Sequence, residues 1–136
     1  RDIISFSEEL NHIKAYTAIE CERFHRLKVE YDIASVEFYV PPLTIQPFVE
    51  NAIKHGICKK EGGGTVTIKS KETKKGIEIC IIDDGIGFDP EKSAVNSKRT
   101  GIGIKNASYR LRELMDAQVQ VNSAPGCGCS IQINIP

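Results

Sequence analysis

Three polar side chains with complementary chemistry lie close together in residues 42–56. Asn51, Lys54 and His55 follow the i, i+3, i+4 pattern, so on a helix they project from one face. The amide oxygen of Asn51 suits Mg²⁺, which prefers oxygen ligands and is commonly shared with substrate phosphates. Lys54 can meet phosphate as a point cation, and His55 can touch a base or ribose. For this stretch alone, a solvated polar face is an equally good interpretation.

A carboxylate and two glycines follow the most isoleucine-rich strand pattern of the chain. Asp83 comes directly after residues 77–82 and before Gly85 and Gly87. A carboxylate there can accept a hydrogen bond from an amino group of a flat ligand. Adenine offers such a group, whereas guanine presents an oxygen, and a buried mismatch of that kind discriminates strongly. We expect the two glycines to let the backbone approach the base without Cβ clashes.

A second pair of glycines leads into a predicted helix. Gly101 and Gly103 precede the amphipathic pattern of residues 104–115, and the free N–H groups at a helix start favour a bound phosphate. Thr100 can add a hydroxyl. The spacing matches neither the GxGxxG dinucleotide motif nor the GxxxxGK[ST] phosphate loop, so a nucleotide would have to bind here by another route.

The elements that must position these residues alternate between helices and strand pairs. Six strands and three helices predict an α/β fold in two layers, with the helices on one side of the sheet. The predicted helices are residues 5–26, 42–56 and 104–115. The predicted strand pairs are 27–31 with 36–40, 65–70 with 77–82, and 119–121 with 131–135.

The helix predicted over residues 42–56 has a defined start and stop in the sequence. Thr44 is a plausible N-cap, and Gly56 is a plausible C-terminal stop. Its apolar stripe consists of Ile45, Phe48, Val49, Ala52 and Ile53.

The helix predicted over residues 5–26 has two equivalent caps. Ser5 and Ser7 suit the N-cap equally well. Its polar residues, which include Glu9 and Glu20, are expected to form a solvated surface.

Composition limits the classes of partner. The chain has 136 residues, which suits one domain, and its 18 basic and 18 acidic residues give no net charge. Zero net charge argues against duplex DNA or an anionic membrane as a bulk electrostatic partner. Five scattered cysteines suggest neither a disulfide framework nor a zinc site, so we expect reduced thiols in a cytoplasmic domain. The start at Arg1 without Met predicts a fragment of a longer protein.

Three motifs together resemble one superfamily. ENAIKHG, DDGIG and TGIGIKNASYRL resemble the N box and the two glycine boxes of the GHKL ATPase superfamily. The run PPLTIQPFVENAIKHG is most similar to the LytS-type sensor histidine kinases of bacterial two-component systems, and the resemblance covers essentially the whole chain. It implies the Bergerat fold, a two-layer α/β sandwich of a mixed β-sheet and three helices. It also implies ATP and Mg²⁺ as ligands.

The resemblance assigns a role to each residue singled out above. Asn51 resembles the Mg²⁺-coordinating asparagine, while Lys54 and His55 match positions that contact phosphate and nucleoside. Asp83 resembles the adenine-reading aspartate. The remaining matches, in the glycine turn and the phosphate-binding box, are Gly85, Gly87, Gly101 and Gly103, with Thr100 beside them. Residues 88–100 correspond to the ATP lid.

The chain also departs from the superfamily pattern. Arg99 stands where the second glycine box begins with Gly. Pro47 occupies the position, four residues before Asn51, at which hydrolytic members carry a general-base Glu. In the closing hairpin, Cys129 occupies a position at which members of the superfamily often carry a hydroxyl side chain near the nucleotide base.

The acceptor histidine of such kinases is expected outside this chain. None of His12, His25 and His55 has its context. We therefore interpret residues 1–26 as a helical lead-in from a missing dimerisation and phosphoacceptor domain. Residues 27–136 would be the ATP-binding catalytic domain.

The resemblance implies a protein histidine kinase of the two-component type. The parent would be a membrane-anchored bacterial protein with this domain in the cytoplasm, and it would phosphorylate a response regulator. Two alternatives remain open, which are a GHKL-type ATPase and a non-catalytic nucleotide-binding regulatory module.

Overall fold

Among the described residues, a five-stranded sheet and three helices form two layers. In the computed structural model, the described residues are 2–87 and 101–136. The helices are α1 (Phe6–Arg23), α2 (Gln46–Asn51), which continues as a π-helical segment over Ala52–Ile57, and α3 (Gly101–Met115). The strands are β1 (Ile4–Ser5), β2 (Leu27–Ile33), β3 (Tyr39–Val40), β4 (Gly64–Thr73), β5 (Gly76–Asp83), β6 (Gln118–Ser123) and β7 (Cys129–Ile135).

The large sheet is mixed, as the resemblance implied. Its strand order is β2-β4-β5-β7-β6, with β2 parallel to β4 and every other pair antiparallel. The isoleucine-rich strand β5 is therefore central, with two strands on each side. Because β5 ends at Asp83, the candidate carboxylate lies in the middle of one sheet edge.

The core lies between this sheet and the helices. Alternate residues of β7 are buried, so one face of the sheet packs inward. The apolar stripe predicted for α2 is confirmed, because each of its five residues is buried. Phe6 and Ile13 of α1 belong to the same core cluster as Ile68 and Ile79 of the sheet. The first helix is thus packed with the rest of the described chain.

The strand predicted over residues 36–40 is wrong in both length and partner. Only Tyr39 and Val40 are extended, and they pair with β1 in a separate two-stranded sheet. The aromatic ring of Phe38 explains the difference, because it stacks on Phe6 with the ring centroids 4.5 Å apart. The backbone carbonyl of Phe38 also accepts a hydrogen bond from Phe6 N. These contacts bring the segment to the start of α1, so the large sheet has five strands rather than six.

The first helix also differs from its prediction on one face. Ser5 is the N-cap, since its hydroxyl accepts a hydrogen bond from Glu8 N at 3.2 Å. The assignment of Glu9 and Glu20 to a solvated surface is wrong, because both side chains are buried. Glu20 accepts a hydrogen bond from the Arg23 guanidinium, and Glu9 binds backbone amides of another segment.

The second helix begins and ends differently from the prediction. Thr44 is not its cap, because the Thr44 hydroxyl donates to Pro41 O at 2.6 Å and Ile45 occupies the N-cap position. Gly56 does not stop the helix either, since the π-helical segment continues to Ile57. The hydrogen bond from Cys58 N to Ile53 O spans five residues, as expected for a π-helix.

Candidate functional site

Asp83 lies at the carboxyl end of the central strand with its side chain almost enclosed. It is 5% exposed, and its Oδ1 accepts a hydrogen bond from Gly85 N at 2.9 Å. Burial raises the pKa of Asp83 above its usual value, and the nearby Asp84 raises it further. Backbone donors from Gly85 and Cys129 and the Lys60 ammonium act in the opposite direction. The site therefore has a desolvated hydrogen-bond acceptor at its base.

Helix α2 reaches this carboxylate because its C-terminal segment contains a glycine. A Cβ added at Gly56 would lie 2.7 Å from Asp83 Oδ1. A Cβ added at Gly85 would in turn collide with the backbone of Gly56. The close approach is thus between two glycines of the protein itself, one on α2 and one after β5. Gly56 is a residue whose importance the sequence analysis missed.

The second glycine after Asp83 supports the closing hairpin. Gly87 has a φ of 65°, and an added Cβ would collide with Ala124 O in the turn between β6 and β7. The steric reason that the sequence suggested for Gly85 and Gly87, access for a ligand base, is therefore not the one seen among the described residues. Both glycines are required for contacts within the protein, and their contact with a ligand stays a prediction.

A small polar cavity brings together residues that are far apart in the sequence. It is lined by Asn51, His55, Gly56, Asp83, Gly87 and Cys129, and its volume is about 20 Å³. That volume holds about one water molecule, so the cavity is the base of a site and not the whole of it. The structure thus places the predicted residues Asn51, His55 and Asp83 around one space.

Cys129, at the position where the superfamily pattern has a hydroxyl, is one of the residues that line this space. Cys129 pairs with Asp83 in the register of β5 and β7, and it is buried. Burial raises the pKa of Cys129 to about 11, the charge of Asp83 adds to the rise, and a hydrogen bond with Ser123 opposes it. The side chain is therefore a neutral thiol at physiological pH, with little tendency to act as a nucleophile.

The other polar residues of α2 differ in their surroundings. Lys54 is exposed and does not line the cavity. Glu50 accepts a hydrogen bond from Gln46 Nε2 at 3.4 Å. Neither residue is among those that line the cavity, so a role for Lys54 in binding phosphate would depend on a ligand that extends out of the cavity.

The glycine pair at residues 101 and 103 forms the first turn of α3 and does not precede it. Helix α3 begins at Gly101, and a Cβ added at Gly103 would lie 3.8 Å from Pro47 Cβ on α2. The amino end of α3 therefore adjoins α2 one turn before Asn51. Thr100, Arg99 and the predicted lid over residues 88–100 lie outside the described residues.

A neighbouring carboxylate that the sequence analysis did not single out holds the glycine turn in place. Asp84 Oδ1 accepts a hydrogen bond from Thr65 N at 2.7 Å, and Asp84 O accepts one from Lys60 Nζ at 2.7 Å. These bonds connect the end of β5 to β4 and to the loop after α2. The two adjacent aspartates thus have different roles. Asp83 lines the cavity, and Asp84 stabilises the turn.

The polar side chains of the site indicate which ligands fit. Asp83 suits a partner with an amino group, and the Asn51 amide suits one coordination position of Mg²⁺. Within residues 2–87 and 101–136, no cluster of three or more His, Cys, Asp or Glu could hold a metal ion alone. A Mg²⁺ ion here would therefore need oxygen ligands from a phosphorylated substrate as well as from Asn51.

Comparison with known proteins gives one family match. The family described as histidine kinase-, DNA gyrase B- and HSP90-like ATPase matches residues 43–136. The chain is 39% identical to YwpD of Bacillus subtilis, over 98% of this chain and 50% of that protein. It is 42% identical to the sensor histidine kinase YpdA of Escherichia coli, over 82% of this chain and 21% of that protein. It is 28% identical to the sensor protein LytS of Oceanobacillus iheyensis, over 98% of this chain and 25% of that protein.

Solved structures share the fold at low sequence identity. The histidine kinase domain of the blue-light activated kinase EL346 from Erythrobacter litoralis superposes with a TM-score of 0.76 at 20% identity. The match covers 100% of this chain and 63% of that one. The chain spans half the length or less of the curated relatives named above. Among the described helices, none has the length and apolar character to cross a membrane.

Proposed function

Because the chain belongs to the family of histidine kinase-, DNA gyrase B- and HSP90-like ATPases, we propose that it is the Mg·ATP-binding catalytic domain of a LytS-type sensor histidine kinase. The curated relatives YpdA and LytS, which are named as a sensor histidine kinase and a sensor protein, support this choice within the family. So does the fold of the EL346 kinase domain.

The observation that carries the proposal is the buried carboxylate of Asp83 on a cavity shared with Asn51 and His55. One oxygen of Asp83 is engaged by Gly85 N. The carboxylate can accept a further hydrogen bond from the N6 amino group of adenine. Guanine would place an oxygen against this carboxylate, so ATP is selected over GTP.

The remaining residues are assigned to the phosphates and the metal. Asn51 would supply one oxygen ligand to Mg²⁺, and the ion would take its other ligands from the phosphates and water. Lys54 meets phosphate charge at the mouth of the site, and His55 contacts the nucleoside. The backbone N–H groups of the first turn of α3 bind phosphate, as the positive end of a helix favours. The residues proposed for this contact are Gly101 and Gly103, with Thr100 beside them.

In the parent protein this domain presents the γ-phosphate of ATP to a histidine outside the chain. A neutral imidazole nitrogen already has a lone pair, so the chain needs to supply no general base. Catalysis consists of positioning and of charge neutralisation, to which bound Mg²⁺ contributes. The proposed partners are a dimeric helical domain of the same protein and a response regulator. The proposed location is the cytoplasmic side of a membrane-anchored bacterial kinase.

Asp83→Asn tests the adenine assignment. Asparagine keeps an oxygen for Gly85 N but replaces the other acceptor with an amino group, which faces the donor on adenine. We expect the dissociation constant of ATP to rise about 100-fold, the value of a lost charge-assisted hydrogen bond. Isothermal titration calorimetry of both proteins with ATP measures this change.

Asp84→Asn is the matched control, because the same chemical change is made one residue away. Its Oδ1 can still accept from Thr65 N, so we expect ATP affinity to stay within about threefold of the parent value. Equal affinity of Asp83→Asn and the unmodified chain would reject the adenine assignment.

The rate of ATP hydrolysis distinguishes a kinase domain from an ATPase of the gyrase or HSP90 kind. Pro47 stands at the general-base position and has no group that can activate water. We expect the isolated chain to bind ATP and to release phosphate no faster than an unfolded control. Steady-state release that is abolished by Asp83→Asn would favour the ATPase instead.

A further inference from the structure

A buried carboxylate connects the first helix of the chain to the helix that carries Asn51. Glu9 of α1 is 0% exposed. Its Oε1 accepts a hydrogen bond from Leu43 N at 2.9 Å. Its Oε2 accepts from Ile45 N at 3.0 Å and from Gln46 N at 3.2 Å. Both oxygens of Glu9 are therefore used at the amino end of α2.

Helix α2 has no side-chain cap from its own segment. Ile45 is the N-cap residue and makes no capping hydrogen bond with its side chain. The nearby Thr44 hydroxyl donates to Pro41 O instead. The first N–H groups of a helix need acceptors, and a negative charge there is favoured by the helix dipole. Glu9, which lies 36 residues before Ile45, supplies that charge.

The surrounding contacts keep Glu9 and the start of α2 in register. Strand β1, directly before α1, pairs with β3, and the Phe6 ring stacks on Phe38. Between β3 and α2, Leu43 has a φ of 57°, a backbone conformation that few residues other than glycine adopt. The amide of this residue is one of the three donors to Glu9. The Glu9 carboxylate thus stabilises the connection that leads into α2.

The other end of α2 reaches the candidate site. Asn51 lies five residues after Gln46, which places it about 7.5 Å further along the helix axis. The continuation of the helix packs closely on the end of the sheet, because Gly56 lies against Asp83 without room for a Cβ. Fixing the amino end of α2 therefore fixes the rotation and the height of Asn51 relative to Asp83.

We propose that Glu9 is a positioning residue for the nucleotide site, which acts by holding the amino end of α2 so that Asn51 meets the Mg²⁺ of bound Mg·ATP. The inference rests on the proposed function and extends it, since Glu9 itself lines no part of the cavity. Glu9 would contribute to the Mg²⁺-dependent part of ATP affinity and would leave the contact of Asp83 with adenine unchanged.

The test compares ATP affinity with and without Mg²⁺ in Glu9→Gln. Glutamine keeps the length and shape of the side chain but replaces one acceptor oxygen with a donor that faces backbone N–H groups. Calorimetric titrations are made well below the melting temperature of each protein. We expect affinity for Mg·ATP to fall about tenfold, the size of effect typical of groups that orient a metal ligand. Affinity for ATP in the presence of a chelator should stay within about twofold of the unmodified chain.

Two further variants complete the experiment. Glu22→Gln makes the same change of charge at an exposed position of α1 and should bind Mg·ATP like the unmodified chain. Glu9→Asp keeps the charge on a shorter side chain, so it should fold and retain part of the Mg²⁺-dependent affinity. If Glu9→Gln does not fold, the affinity for ATP with and without Mg²⁺ is measured on Glu9→Asp instead.

The outcomes are distinguishable. A Glu9 variant with a lowered melting temperature but unchanged affinity for Mg·ATP would show a purely structural cap and overturn the inference. An equal loss of affinity with and without Mg²⁺ would overturn it as well, because the effect would not pass through Asn51. If the unmodified chain binds no ATP, the proposed function itself fails, and the role of Glu9 fails with it.

Discussion

Asp83 has opposite effects on the stability of the fold and on the recognition of a ligand. Burial and the neighbouring Asp84 raise its pKa above the usual value of 3.8. The folded state therefore binds a proton on Asp83 more readily than the unfolded state does. The stability that the protonated carboxyl contributes is fully present below pH 3.8, and it is lost as the pH rises through the raised pKa. At neutral pH the buried charge on Asp83 lowers the free energy of unfolding. A destabilising charge of this kind is typical of a residue that serves ligand binding.

This cost predicts the effect of Asp83→Asn on stability. The neutral side chain avoids desolvation of a charge, so we expect a higher free energy of unfolding than in the unmodified chain at pH 7. The gain should shrink as the pH falls through the raised pKa of Asp83, where the folded aspartate becomes protonated, and it should be smallest below 3.8. Urea denaturation at a series of pH values measures it. A variant that is less stable at pH 7, with weaker ATP binding, would mean that Asp83 is a structural residue.

At the scale of elements, the close approach of α2 to β5 is the feature on which the site depends. The π-helical segment carries His55 and Gly56, and π-helical turns frequently occur at functional sites. Gly56 lies against Asp83, and Gly85 lies against Gly56. The helix and the turn can meet only because neither glycine has a Cβ.

Gly56→Ala tests this dependence. The new Cβ would lie 2.7 Å from Asp83 Oδ1, so either the helix or the carboxylate must move. We expect the free energy of unfolding to fall by about 1–3 kcal/mol, as for other overpacked core sites. ATP affinity should fall as well. Urea denaturation and calorimetry measure the two effects.

Gly103→Ala is the matched control for a glycine on a helix. The nearest described atom to the new Cβ is Pro47 Cβ at 3.8 Å, an ordinary contact. Alanine is favoured over glycine within a helix, so the free energy of unfolding should rise by about 0.5 kcal/mol. If Gly56→Ala proves as stable as Gly103→Ala, the close approach does not constrain the site.

The sequence predicted best those elements whose signals are local. Alternation and a turn predicted the hairpin of β4 and β5, and helical periodicity predicted most of α3. The partner and the short length of strand β3 could not be predicted, because it pairs with β1 and its placement depends on the stack of Phe38 on Phe6. The cap of α2 could not be predicted for the same reason, which is that the capping residue is distant in the sequence. Glu9 has the pattern of a solvated helix residue, and its amide partners lie more than 30 residues away.

The candidate site was predictable only in part, for a related reason. Motif residues such as Asn51 and Asp83 could be assigned from their types and spacing. The role of Gly56 required knowledge of how α2 packs on the end of β5. The place of Cys129 in the cavity follows from the register of β5 and β7, which joins residues 46 positions apart. Tertiary packing, and not local sequence, determines these contacts.

At the scale of the whole molecule, the first helix and the sheet form one packed unit. Phe6, Leu10 and Ile13 of α1 share the core with residues of β4, β5 and β7. The division into a lead-in of residues 1–26 and a catalytic domain of residues 27–136 stays a prediction. If α1 also continues from a helical acceptor domain in the parent protein, Glu9 provides a physical connection from that domain to α2.

The central claim is that the chain binds ATP through Asp83 and Mg²⁺ through Asn51. The most direct measurement is a calorimetric titration of the chain with ATP and with GTP, each with and without Mg²⁺. We predict binding of ATP that is strengthened by Mg²⁺ and that exceeds the binding of GTP by at least about 100-fold, the size expected for a buried polar mismatch. Equal binding of the two nucleotides, or no binding at millimolar ATP, would contradict the account.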